Sequence, residues 1–175
     1  MRYTFGHTNT AAERLKIIAD FFNPLAEVII HNSLKNIINA AADMGCGPGY
    51  TTNMVAKATH AKEVTGIDIS SYFLALAKQA YPDYRFVQDD VTRLKPNRKY
   101  DFIYCRFLLS HLKHIDQVLA CWLTLLNSQG VLFIDELEGI ETDIPVFLKY
   151  LDTNHKLIRS QGADLYIGSK LDTII

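Results

Sequence analysis

The sequence predicts an α/β fold, an open parallel sheet with helices on both faces. Three observations carry that expectation. Short apolar runs alternate with segments of helical periodicity, which is the pattern of right-handed βαβ units. The run Ile37 to Ala42 ends in Asp43 and a loop with three glycines, Gly45, Gly47 and Gly49, before a helical segment from Tyr50 to Ala58. Acids stand at or just beyond the ends of the first three expected strands, Asp43, Asp68 and Asp90, each one βα unit after the last. Ligands of such sheets bind at the carboxyl ends of the strands, where strand order reverses.

The 175 residues suit one core, with an N-terminal helical arm or lid over 1–35 and a ligand-binding domain over 36–175. Residues 1–9 are polar and aromatic and are expected to be irregular. Thr10, with Glu13 three residues on, is placed to cap a helix carrying Leu15, Ile18, Ala19 and Phe22 at helical spacing. Asn23-Pro24 is expected to break it, because the residue before proline avoids the helical region. A second helix would then run from Pro24 to Ser33. Glu63 to Asp68 reads as the second strand, and Ser70 or Ser71 caps an alanine-rich helix from Tyr72 to Ala80. Tyr84 to Gln88 is the third strand and Tyr100 to Cys105 the fourth. A helix from about Ile115 to Leu126 ends at Asn127-Ser128-Gln129-Gly130, and Val131 to Ile134 is the fifth strand. Asp143 to Ser160 reads as a last helix with Pro145 in its first turn, followed by a loop from Gln161 to Gly168. Phe21, Phe22, Phe107 and Trp122 are expected in the core.

Hydrophobic residues are 49%, charged residues 21% and the net charge −1, an ordinary globular balance. The basic residues are scattered, so neither a nucleic-acid stripe nor a polybasic membrane patch is expected. Cys46, Cys105 and Cys121 lack metal-ligand spacing and leave an odd count, which favours free thiols in a reducing compartment. The N-terminus lacks a signal-peptide core, and no stretch approaches the roughly 20 apolar residues of a membrane span. A cytoplasmic protein is expected.

The glycine loop lets a ligand approach the backbone and sets a helix N-terminus beside it. The dinucleotide fingerprint, G-x-G-x-x-G/A, fits Gly45 and Gly47 but meets Tyr50 at its third position, too large for close packing of helix on strand. A nicotinamide-dependent oxidoreductase is disfavoured on that ground. The pattern present is D-x-G-x-G-x-G, from Asp43 to Gly49.

That pattern resembles the first motif of class I S-adenosylmethionine (AdoMet)-dependent methyltransferases of the small-molecule type. Gly66-Ile67-Asp68-Ile69-Ser70 is similar to the family's ribose segment. Phe86-Val87-Gln88-Asp89-Asp90-Val91 is similar to its adenine segment, with Asp89 where glycine is common. Tyr100 to Phe107 is similar to its fourth strand and exit, and of the turn before the fifth strand only Gly130 remains. The resemblance implies a Rossmann-like sheet in the order 3-2-1-4-5 and AdoMet bound by Asp43, Gly45, Cys46, Gly47, Gly49, Asp68, Ile69, Asp90, Val91 and Arg106. Asp68 would accept from both ribose hydroxyls, since a carboxylate is acceptor-only. Asp90 would accept from the adenine amine while the Val91 N–H serves the ring. Asp43 would orient the loop or, through water, the amino group of the methionine moiety. Arg106 would hold the cofactor's carboxylate or an acidic acceptor.

The implied reaction is in-line methyl transfer to a small-molecule acceptor, which rests on positioning more than on proton transfer. His111 is the candidate base if one is used, and Tyr3, His7 and Arg14 are candidates to close over the site. His111 and His114, even with Asp116 nearby, lack a convincing third ligand, so no metal is expected. The family's domain has seven strands, and only five are counted here. The chain is expected to lack the last two and to expose the edge of the fifth, which invites a homodimer. A non-catalytic fragment that binds AdoMet or its demethylated product is the alternative.

Overall fold

The computed structural model describes Gly6 and residues 8–174. The elements follow as α1 (Asn9–Ser33), β1 (Ala40–Met44), α2 (Tyr50–Thr59), β2 (Glu63–Asp68), α3 (Ser71–Ala80), β3 (Arg85–Gln88), β4 (Tyr100–Arg106), α4 (Ile115–Leu123), β5 (Leu126–Asp135), α5 (Pro145–Ser160) and α6 (Gly168–Ile174). Short 3-10 turns occupy Val91–Arg93 and Leu109–His111. All five strands are parallel, in the order β3-β2-β1-β4-β5. Strand order therefore reverses between β1 and β4, and a crevice opens above their carboxyl ends.

β4 shows why the sheet is sandwiched. Phe102 and Tyr104 point to one face, where they pack with Ala26 and Ile30 of α1 and Met54 and Val55 of α2. Ile103 and Cys105 point to the other, against Val118, Leu119 and Trp122 of α4. A strand buried on both faces must be apolar at every position, and β4 nearly is. Trp122 is fully buried, and its indole Nε1–H donates to the Val91 carbonyl at 2.8 Å.

Local expectations are corrected in three places: α1, the junction of α4 and β5, and the core aromatics. α1 is one helix that runs through Pro24, and its N-cap is Thr8, whose hydroxyl accepts from the Ala11 N–H at 3.2 Å. Proline removes one backbone hydrogen bond and crowds the preceding turn. Buried Ala19, Ala26 and Ile30, at helical spacing on both sides of it, hold the two halves on one axis. α4 ends at Leu123, and Asn127 to Gly130 lie inside β5 rather than in a turn before it. The register runs from Tyr100↔Leu126 to Phe102↔Val131, so these four residues bulge opposite Asp101. The Asn127 side chain donates to Asp101 at 2.6 Å, and the chain folds so tightly that a Cβ on Gly130 would stand 3.0 Å from the Tyr100 carbonyl oxygen. The loop expected after α5 is present over 161–167, and α6, which was not expected, follows it. Of the four aromatics assigned to the core, only Trp122 is there. Phe22 and Phe107 are half-buried and line a cleft, and Phe21 is 76% exposed.

β3 and β5 are the edge strands among the described residues. No described helix is long and apolar enough to cross a membrane.

Candidate active site

The β1–α2 loop is shaped by its glycines. Gly45, Gly47 and Gly49 have φ of 72°, 51° and 86°, in the left-handed region that side chains disfavour. A Cβ on Gly45 would also stand 2.8 Å from the Leu108 side chain. The Gly45 and Cys46 N–H groups both donate to the Ile67 carbonyl, at 2.8 and 3.1 Å, which pins the loop over the end of β2. The Gly47 N–H donates to Asp68 Oδ2 at 2.8 Å, and the Ser70 N–H to Oδ1 at 2.8 Å. Asp68 is thereby fixed in place at the end of β2, beside the glycine loop.

Asp43 lies under this loop, 1% exposed. Its Oδ2 accepts from the Thr51 and Thr52 hydroxyls, both at 2.7 Å, in the first turn of α2. Gly49 caps that helix without a side chain, so the carboxylate supplies the negative charge that its N-terminus favours. Burial pushes the Asp43 carboxyl up to about 6, against the pull of the two threonines and of Arg106. Its folded value lies above the ordinary 3.8. Ionised Asp43 therefore costs stability above pH about 6, and the cost fades as pH falls toward the ordinary value. Asp43→Asn is expected to raise stability at pH 7 by roughly 2 kcal/mol. A lower melting temperature than wild type at pH 7 would refute this.

A cleft of about 650 Å³ opens over the loop, within the roughly 300–1,000 Å³ of small-molecule sites. Asp43, Gly45, Cys46, Gly47, Asp68, Ile69, Asp90, Val91, Arg106, Arg14 and His111 all line it. Gly49 does not. It packs beneath the loop, where a Cβ would meet Tyr81, Ala77 and Phe86 at 3.0–3.1 Å. Tyr3 and His7 lie outside the described residues.

Asp90 caps the 3-10 turn, and its Oδ1 accepts from the Thr92 N–H at 3.0 Å and hydroxyl at 2.7 Å. Its Oδ2 pairs with Arg93 at 3.2 Å. Burial raises its carboxyl, but those hydrogen bonds and Arg93 outweigh it and hold the group below its usual range. Asp89 also lines the cleft, and its Oδ1 accepts from the Asp90 N–H at 2.8 Å.

His111 sits in a 3-10 turn beyond β4. Burial, and behind it the charge of Arg14, lower its pKa to about 4, so it is neutral at physiological pH. Leading into that turn, Phe107 has φ of 49°, a strained backbone for a bulky residue, and its N–H donates to the Asp135 carbonyl at 3.0 Å. Glu136 Oε1 accepts from the Leu108 and Leu109 N–H groups at 2.7 and 2.6 Å. Burial pushes its carboxyl up to about 7.

Arg106, at the end of β4, has a side chain only 3% exposed. Its Nε donates to Asp135 Oδ2 at 2.8 Å and its Nη1 to Asn23 Oδ1 at 2.7 Å. The guanidinium carbon lies 5.9 Å from the Phe22 ring centroid and 5.5 Å from that of Tyr104. Nη2 is buried and has no hydrogen-bond partner among the described residues.

Asn23, Asp135 and Glu136 carried no assignment at the sequence level. A polar residue before proline and a pair of acids ending the fifth strand were the signals available, and neither pairing can be read from spacing alone. No group of three or more His, Cys, Asp or Glu side chains converges for a metal among the described residues.

An open sheet in this order, with a glycine loop over β1 and an acid ending β2, defines a class I methyltransferase fold. Comparison with known proteins agrees. The chain belongs to the methyltransferase domain family, whose sequence profile matches residues 42–132. The trans-aconitate 2-methyltransferase of Escherichia coli O139:H28 is 34% identical over 120 residues, which are 69% of this chain and 47% of that protein. The chain thus spans about half the length of the curated relatives it matches. A TehB-like SAM-dependent methyltransferase from Corynebacterium glutamicum superposes with a TM-score of 0.63 at 21% identity, covering 84% of this chain and 82% of that one. A SAM-bound amino pentose methyltransferase from Micromonospora echinaspora gives 0.60 at 18% identity, covering 75% and 57%.

Proposed function

We propose that the cleft binds AdoMet along the β1–α2 loop and that the protein transfers its methyl group to a small-molecule acceptor by in-line displacement. One observation carries this reading. The glycine loop is a cradle that side chains would fill, and it is pinned to Ile67 and Asp68 with Asp68 facing the same cleft. In this reading Asp68 accepts from the ribose hydroxyls, Ile69 and Val91 flank the adenine and Asp90 or its neighbour Asp89 faces the adenine amine. Gly45, Cys46, Gly47 and Gly49 shape the loop under the methionine moiety, and Asp43 holds the loop to α2. When bound, the cofactor supplies a methyl group already activated by its sulfonium. The chain's own residues then exclude water and hold the acceptor in line. Neutral His111 is the group in reach of a proton if the acceptor must lose one. Arg14, Tyr3 and His7 are assigned to the acceptor side.

The trans-aconitate 2-methyltransferase relatives support a small-molecule acceptor. The same reading is metal-free and cytoplasmic, with neither nucleic acid nor membrane as partner. A homodimer across the edge of β5, which has no neighbouring strand beyond β4 among the described residues, is part of it. A second copy would show as a doubled mass in light scattering, and a monomer at high micromolar concentration would remove that element.

Calorimetric titration with S-adenosylhomocysteine tests the proposal. Micromolar binding, and none with NAD, is the expected result. A folded sample that binds neither would overturn it. Gly47→Val is expected to abolish that binding, because a β-branched residue at φ 51° strains the loop by about 1–2 kcal/mol and its side chain stands in the cofactor's approach. Normal binding by the folded variant would move the cofactor elsewhere.

A further inference from the structure

We propose that Arg106 Nη2 anchors an anionic group of the methyl acceptor, and that the acceptor is an aromatic or otherwise apolar small molecule carrying one carboxylate. This rests on the methyltransferase reading of the cleft and names the chemistry of its second ligand.

The guanidinium is oriented before any ligand arrives. Nε is fixed by Asp135 and Nη1 by Asn23, and the guanidinium carbon lies 5.9 Å from the Phe22 ring centroid and 5.5 Å from that of Tyr104. A buried donor of a cation left without an acceptor is costly, and a ligand oxygen on Nη2 would satisfy it. Asp135 already balances the charge of Arg106 in the free protein, so the unpartnered Nη2 reads as a recognition group rather than as half of a missing ion pair.

Its place in the sheet assigns that group to the acceptor. The glycine loop leans from β1 toward β2, through Ile67 and Asp68. Arg106 leans the opposite way, from β4 toward β5 and α1, through Asp135 and Asn23. The cleft around it is lined by Ile18, Phe22, Phe107, Phe147, Leu151 and Leu165. The two N–H groups of Nη2 match the two oxygens of one carboxylate, and the apolar side chains beside them suit an apolar body, with Arg14 and Lys113 also in the lining.

The test compares 3-phenylpropionate and indole-3-acetate with their carboxamides, each titrated calorimetrically into the protein saturated with S-adenosylhomocysteine. The carboxylate of at least one pair is expected to bind tenfold or more tightly than its amide. Arg106→Gln is expected to erase that difference and to leave S-adenosylhomocysteine affinity within threefold of wild type. Equal binding of acid and amide by the wild type, or no binding by either pair, overturns the proposal, and this comparison needs no variant. A variant that loses S-adenosylhomocysteine affinity but keeps the preference for acids assigns Nη2 to the cofactor and also overturns it. Should Arg106→Gln not fold, Arg106→Lys replaces it, with a weakened preference expected because one ammonium cannot reproduce the fork. An unchanged preference in Arg106→Lys counts against the proposal. Failure of the wild type to bind S-adenosylhomocysteine at all would instead remove the underlying functional reading.

Discussion

Asp68→Ala is expected to cost about 2 kcal/mol or more of cofactor affinity, roughly thirtyfold. Two losses combine. The charge-assisted hydrogen bonds to the ribose go, and charged acceptors are worth more than neutral ones. The Gly47 N–H also loses its partner, so the loop loses one of the ties that place it over β2. Asp68→Asn separates the two. Its carbonyl oxygen can still accept from Gly47, so the loop stays placed while the charge to the diol is lost, and an intermediate affinity is expected. Calorimetry with S-adenosylhomocysteine measures both variants. Wild-type affinity in Asp68→Ala would sink the ribose assignment. Equal losses in both would place the whole effect on the charge.

Trp122→Ala has the largest expected effect on stability, about 3–5 kcal/mol, a large part of the roughly 5–15 kcal/mol that holds a typical domain together. The side chain is fully buried on the α4 face of the sheet, and its removal leaves a cavity that β4 and α4 cannot close without moving. It also frees the Val91 carbonyl at the turn that borders the cleft. Trp122→Phe should retain more of the packing, lose the hydrogen bond and weaken cofactor binding through a looser 91–93 turn. Urea unfolding midpoints report the first effect and calorimetry the second. A midpoint for Trp122→Ala near that of wild type would show that α4 carries little of the fold.

The strands were legible because apolar runs ending in acids repeat at the interval of a βα unit. Glu63 to Asp68 was read with both ends correct, and β4 missed only its last residue, Arg106. The glycine loop was legible as well, since three left-handed residues in five leave few alternatives to glycine. Pro24 misled because a local rule was applied to a helix that tertiary contacts stabilise on both sides. The segment 127–130 has the composition of a turn, and only its pairing with Asp101 turns it into a bulge. Phe22 and Phe107 are aromatic like Trp122, yet they line a cleft because they follow α1 and β4 to the crevice rather than into the sheet's interior.

The sequence by itself determined the class of fold, the strand order that the resemblance implied, and the residues that stand at the carboxyl ends of the strands. Periodicity and glycine placement are local properties of the backbone, so they survive without knowledge of neighbours. Only the tertiary structure decided how the charges are matched: Asp43 to Thr51 and Thr52, Asp68 to the loop N–H groups, and Arg106 to Asp135 and Asn23. Such partners lie on different elements, and which of them meet depends on how those elements pack. The open Nη2 of Arg106 is one result of that packing.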